Sequence, residues 1–70
     1  MYKELKAELK EWLDSCLNTK ELLIDFKSKL FLINTDELKN KWECIANIQI
    51  AIRDLETAEY RILNCINNLI

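Results

Sequence analysis

Glycine and proline are both missing from this chain of 70 residues. Together they normally supply about a tenth of a sequence. Without glycine there is no low-cost backbone at φ > 0, which argues against Asn-Gly hairpin turns, glycine-rich phosphate loops and an all-β fold with many tight turns. Histidine is missing too, and with it the usual general base and the commonest metal ligand. Long apolar runs are absent. The longest is Leu30-Phe31-Leu32-Ile33, far short of the roughly 18 residues of a membrane span. The opening stretch, "MYKELKAELKEW", carries charge throughout, so it does not read as a signal peptide. Its Met start fits a complete small reading frame. There is no marked excess of one charge: 10 Lys and Arg against 12 Asp and Glu leave a net charge of −2, with a pI of about 5.0. Such a balance argues against general affinity for nucleic acid or an anionic membrane. The three cysteines, Cys16, Cys44 and Cys65, are odd in number and far apart, with no C-x-x-C. They read as small apolar residues in a reducing cytoplasm rather than as a disulfide framework or zinc site.

What is present suits long helices: Leu, Lys, Glu, Ile and Asn dominate. In the first half, Tyr2, Leu5, Leu9, Trp12, Cys16, Thr19, Leu23, Phe26, Leu30 and Ile33 follow one another in alternating steps of three and four. That is a heptad seam, with a at Tyr2, Leu9, Cys16, Leu23 and Leu30 and d at Leu5, Trp12, Thr19, Phe26 and Ile33. In the second half, a falls on Leu38, Ile45, Ile52, Glu59 and Ile66, and d on Lys41, Ile48, Leu55, Ile62 and Leu69. Thr19, Lys41 and Glu59 are therefore polar seam positions. A buried unpaired carboxylate is costly, so Glu59 is expected to find the Trp12 indole N–H or a lysine of the neighbouring helix. Beside the second seam runs a column of small residues, Cys44, Ala51, Ala58 and Cys65, which lets another helix come close.

Two near-repeats, "LNTKEL" and "INTDEL", each resemble a helix start. The seam passes through the first without a change of phase and breaks at the second. The pattern predicts one helix over about 2–32, a turn at about 33–35, and a second helix over about 35–69, capped by Asn34 or Thr35. With that turn, Trp12 lies near Glu59 and Leu30 near Lys41. The alternative is a monomeric three-helix bundle with a break at Asn18-Thr19. Its two short helices of about 15 residues would match the third poorly in length.

A single domain spanning 1–70 as a two-helix hairpin leaves apolar surface to spare. Leu17, Ile24 and Phe31 form a column at b of helix 1, Ile50 and Tyr60 sit on the outer side of helix 2, and the apolar arc of helix 1 covers about 160°. The expectation is an all-α antiparallel hairpin that dimerises into a four-helix bundle. Leu17, Ile24, Phe31, Ile50 and Tyr60 are the candidate dimer or partner contacts.

No catalytic constellation is visible, so no enzyme activity, metal, cofactor or small-molecule substrate is expected. Ser15 and Ser28 lack a base at helical spacing. Glu4, Glu8, Glu11 and Asp14 alternate with Lys3, Lys6 and Lys10 as a solvated helix face does. In length and plan the chain resembles the Rop-type plasmid RNA-binding hairpins, and that resemblance implies a dimeric hairpin presenting one outer face to RNA. Lys20, Lys27, Lys29, Lys39 and Lys41 gather toward the turn, but Glu21, Asp25, Asp36 and Glu37 lie among them, which weakens a phosphate-binding surface. The composition, rich in Lys, Asn and Ile, hints at an AT-rich genome. The function expected is a small cytoplasmic regulator or inhibitor, of phage or mobile-element type, that occupies the surface of a larger protein.

Overall fold

A computed structural model describes residues 2–69. Two helices, α1 (Tyr2–Phe31) and α2 (Lys41–Asn68), pack side by side in opposite directions as a hairpin 57 Å long and only 14 × 11 Å across its backbone. α1 runs unbroken through Asn18-Thr19, which rules out the three-helix arrangement. "LNTKEL" is helix interior because leucines at both ends and the charged residues between them hold the local helical preference.

The turn departs from expectation. It spans residues 32–40 rather than two or three positions, and α2 begins at Lys41, not near residue 35. Short helix–helix turns usually close on a left-handed residue, most often glycine. Here no non-glycine residue among those described has positive φ, so α1 has to unwind in another way. Its end tightens through bonds from Leu32 N–H to the Lys29 carbonyl (3.1 Å) and from Ile33 N–H to the Leu30 carbonyl (3.2 Å). "INTDEL" then makes a single helical turn. The Asn34 carbonyl accepts from Glu37 N–H (3.0 Å) and Leu38 N–H (3.1 Å), and the turn stops there. The chain resumes helix after Asn40, at φ −98° and ψ 25°, whose side chain makes no capping bond. Asp36 and Glu37 thus belong to the turn, and the acidic residue in the first turn of α2 is Glu43.

Six extra turn residues shift the pairing of the two helices. Lys20 on α1 meets Glu59, and Lys27 donates to the Gln49 side chain. Trp12 lines a groove with Cys65, and the partner at Glu59 is Lys20.

The core is thin. Among the described residues, Leu30, Ile45 and Ile52 are the buried apolar ones, with Ile52 only 4% exposed, and Lys41 is buried with them. On α2 and its C-cap Leu69, the half-buried and buried positions include Ile45, Ile48, Ile52, Leu55, Ile62, Ile66 and Leu69, from the a and d columns read from the sequence, and also Cys44, Ala51 and Ala58 of the small-residue column, of which Cys65 is exposed. On α1 the packed side is different. It comprises the a column (Leu9, Cys16, Leu23, Leu30) and the e column (Lys6, Leu13, Lys20, Lys27), while Leu5, Trp12, Thr19 and Phe26 of the d column are exposed. At 100° per residue the apolar arc of α1 runs from d through a and e to b, and its midpoint lies between a and e. Turning that midpoint toward α2 buries the most apolar surface that one neighbour can cover, and leaves d and b as two open flanks.

Candidate interaction surfaces

The packed seam fixes what lies on either side of it. Because α2 runs opposite to α1, the b flank of α1 shares a face with the e column of α2, and the d flank shares the opposite face with the small-residue column. Contacts at both ends agree. Phe31 at b meets Trp42 at e edge-to-face, with ring centroids 6.1 Å apart and planes at 67°. Leu5 and Trp12 at d line an open groove of about 350 Å³ together with Glu8, Leu9, Cys65 and Leu69.

The first face carries Leu17, Ile24 and Phe31, all exposed, with Trp42 and Leu63 from α2. Polar residues share it: Lys3 and Lys10 on α1, Gln49 and Glu56 on α2. Its apolar end is at the turn. There the buried Lys41 ammonium donates to the Phe31 carbonyl at 2.8 Å and lies 5.1 Å from the centre of the Trp42 ring. The lysine thus caps the C-terminal end of α1, where the helix dipole favours a cation, and adds a cation–π contact. Phe31, Lys41 and Trp42 form a latch that closes the hairpin.

The second face carries Leu5, Trp12 and Phe26 on α1, with Thr19 between them, and Cys44, Ala51, Ala58 and Cys65 on α2. Trp12 is 60% exposed. No charged residue occupies either of these columns. Thr19, read from the sequence as a polar layer of the seam, is exposed and belongs to this open face. The cause is the rotation of α1 toward its a and e columns.

Glu59 is a seam residue of α2, and its carboxylate sits against Lys20. Oε2 accepts a hydrogen bond from Nζ at 3.3 Å. Oε1 is 3.1 Å from the same nitrogen, within ion-pair distance but outside hydrogen-bond alignment. Both side chains are mostly shielded, at 22% and 15% exposed. The expected partner from the other helix is therefore a lysine, and the Trp12 indole is elsewhere. Ile50 and Tyr60 project from the outer side of α2 and are exposed, apart from both columns.

The lysines near the turn are largely engaged. Lys20 pairs with Glu59, Lys27 with Gln49, Lys41 with the Phe31 carbonyl, and Lys29 with Asp25 at 3.1 Å. The Lys29–Asp25 pair is largely exposed, at 70% and 65%, whereas Lys20 and Glu59 are mostly shielded. Ser28 bonds back to the Ile24 carbonyl at 3.2 Å as a helical serine does. Among the described residues, no group of three or more acidic, cysteine or histidine side chains converges on a metal-sized site, and no helix is long and apolar enough to cross a membrane. The two faces could have been found in the sequence by locating the centre of the apolar arc of α1; the heptad series alone points to the wrong pair of columns.

The chain matches no protein-family model, no curated protein and no solved structure.

Proposed function

We propose that this chain is a small non-enzymatic interaction module, a helical hairpin that pairs with a second copy of itself and acts by occupying the surface of a larger protein as an inhibitor or regulator. One observation carries this. A hairpin stabilised by a narrow seam leaves apolar residues open on both of its faces, with Leu17, Ile24, Phe31 and Trp42 on one and Leu5, Trp12 and Phe26 on the other. Exposed apolar surface of this extent marks protein interaction sites. Two faces allow two roles, one closing a homodimer into a four-helix bundle and one meeting the target. The aromatic pair Phe31 and Trp42 is of the type that anchors interfaces. The three free thiols suit a reducing cytoplasm, and the Lys-, Asn- and Ile-rich composition fits a phage or mobile-element source.

The test places a photo-crosslinking amino acid at Ile24 and irradiates the chain in source cells. A discrete protein adduct, identified by mass spectrometry and lost on Trp42→Ala, is expected. Recovery of no protein adduct, together with tight, salt-sensitive binding of RNA by the purified chain, would overturn it.

A further inference from the structure

We propose that the second copy sits on the face formed by the d column of α1 and the small-residue column of α2, related by a two-fold axis parallel to the helices, so that both turns lie at the same end of the four-helix bundle. This rests on the self-association proposed above and specifies its geometry.

The exposed area matches what a second copy would cover. The chain exposes 5709 Å², whereas a compact monomer of 8.3 kDa exposes about 4,600 Å². The surplus is about 1,100 Å². A second copy covering that much on each chain buries about 2,200 Å² in total, within the range of obligate homodimers.

Register selects the face. The seam pairs Lys27–Gln49 and Lys20–Glu59, with Trp12 and Cys65 lining one groove, set the two columns of the second face at about the same height. Phe26 is level with Ala51, Thr19 with Ala58, and Trp12 with Cys65. A two-fold axis parallel to the helices lays α1 of each copy over α2 of the other at unchanged height. Trp12, Thr19 and Phe26 of the d column then each meet a small residue, Leu5 lies beyond Cys65, and neither column carries a charge, Glu8 being the charged residue that lines the groove beside them. The same operation on the opposite face lays the column of Lys10, Leu17, Ile24 and Phe31 over the partner's column of Trp42, Gln49, Glu56 and Leu63, so that the charges of Lys10 and Glu56 are covered among apolar side chains. An axis perpendicular to the helices on the second face fails differently. It stacks Trp12 and Phe26 on the partner's large column and small residues on small ones, leaving a clash beside a void.

Two measurements test this. A spin label at Thr35→Cys, in a chain with Cys16→Ala, Cys44→Ala and Cys65→Ala, reports the turn-to-turn distance by pulsed electron resonance. The parallel axis gives about 10–25 Å, set by helix spacing. The perpendicular axis separates the turns by nearly the full 57 Å length of the hairpin, and that result overturns the geometry while leaving self-association intact. Light scattering separates the other failure, since a monomer at every concentration overturns self-association itself. The face is tested by Thr19→Leu. Its side chain is exposed in the single hairpin but central in this dimer, so the dissociation constant should fall about tenfold or more. An unchanged constant overturns the assignment, and because a gain is expected, misfolding cannot imitate it.

Discussion

Lys41 is the residue on which the closed end of the hairpin depends. It is 7% exposed, and its ammonium is held by the Phe31 carbonyl and the Trp42 ring rather than by a carboxylate. Net hydrogen bonds to a charged group contribute about 1.5–3 kcal/mol. Lys41→Met keeps the aliphatic stem and removes the charge, so it should lower unfolding free energy by about 1.5–3 kcal/mol, read from urea denaturation followed by circular dichroism. The neighbouring Asn40 supplies the contrast. An N-cap asparagine usually contributes about 1 kcal/mol through its side chain, but Asn40 makes no such bond. Asn40→Ala should therefore change stability by less than about 0.5 kcal/mol. A large loss at Asn40 with none at Lys41 would show that ordinary capping, not the lysine latch, starts α2.

At the scale of the helices, the two differ in how far their packing can be read from sequence. α2 concentrates its large aliphatic residues in the a and d columns, so its seam, including the charged positions Lys41 and Glu59, follows them, with the small residues Cys44, Ala51 and Ala58 half-buried beside it. α1 has four apolar or partly apolar columns. The unbroken series through Leu5, Trp12, Thr19 and Phe26 marks one edge of that arc, not its centre, and burial follows the centre. The signal that separates the two is chemical: Lys20 and Lys27 recur at e opposite Glu59 and Gln49. The turn was less legible still, because a single helical turn at "INTDEL" and a true helix start use the same residues. Only the missing left-handed residue distinguishes them, and it also accounts for the added length. Packing at this scale is tested by a pair of substitutions on α2. Ile52 is 4% exposed and Ile50 is 54% exposed. Ile52→Ala should destabilise by about 2–4 kcal/mol through lost burial and a residual cavity, and Ile50→Ala by less than about 0.5 kcal/mol. Equal losses would mean that α2 is rotated from the orientation described or that Ile50 is covered by a partner.

For the molecule as a whole, the decisive quantity is how stability depends on concentration. A hairpin that folds alone has a melting temperature independent of concentration, whereas a chain whose core is completed by a second copy does not. The seam described here contains three buried apolar side chains, Leu30, Ile45 and Ile52, and small domains with so little core rely on added covalent, metal or oligomeric support. The free cysteines supply no covalent staple, so association is the form of support that the exposed faces offer. For a dimer of this size a tenfold rise in concentration contributes about 1.4 kcal/mol, which raises the melting temperature by about 5 °C. Thermal scans over a hundredfold range of concentration should show this slope in the wild-type chain. Thr19→Glu, which adds two charges to the middle of the dimer face and a good helix former to α1, should lower the melting temperature and flatten the slope. Ile24→Glu, on the opposite face, should keep the slope. If Ile24→Glu flattens it and Thr19→Glu does not, the faces have the reverse assignment, and the surface left free for a target is the one lined by Trp12 and Phe26.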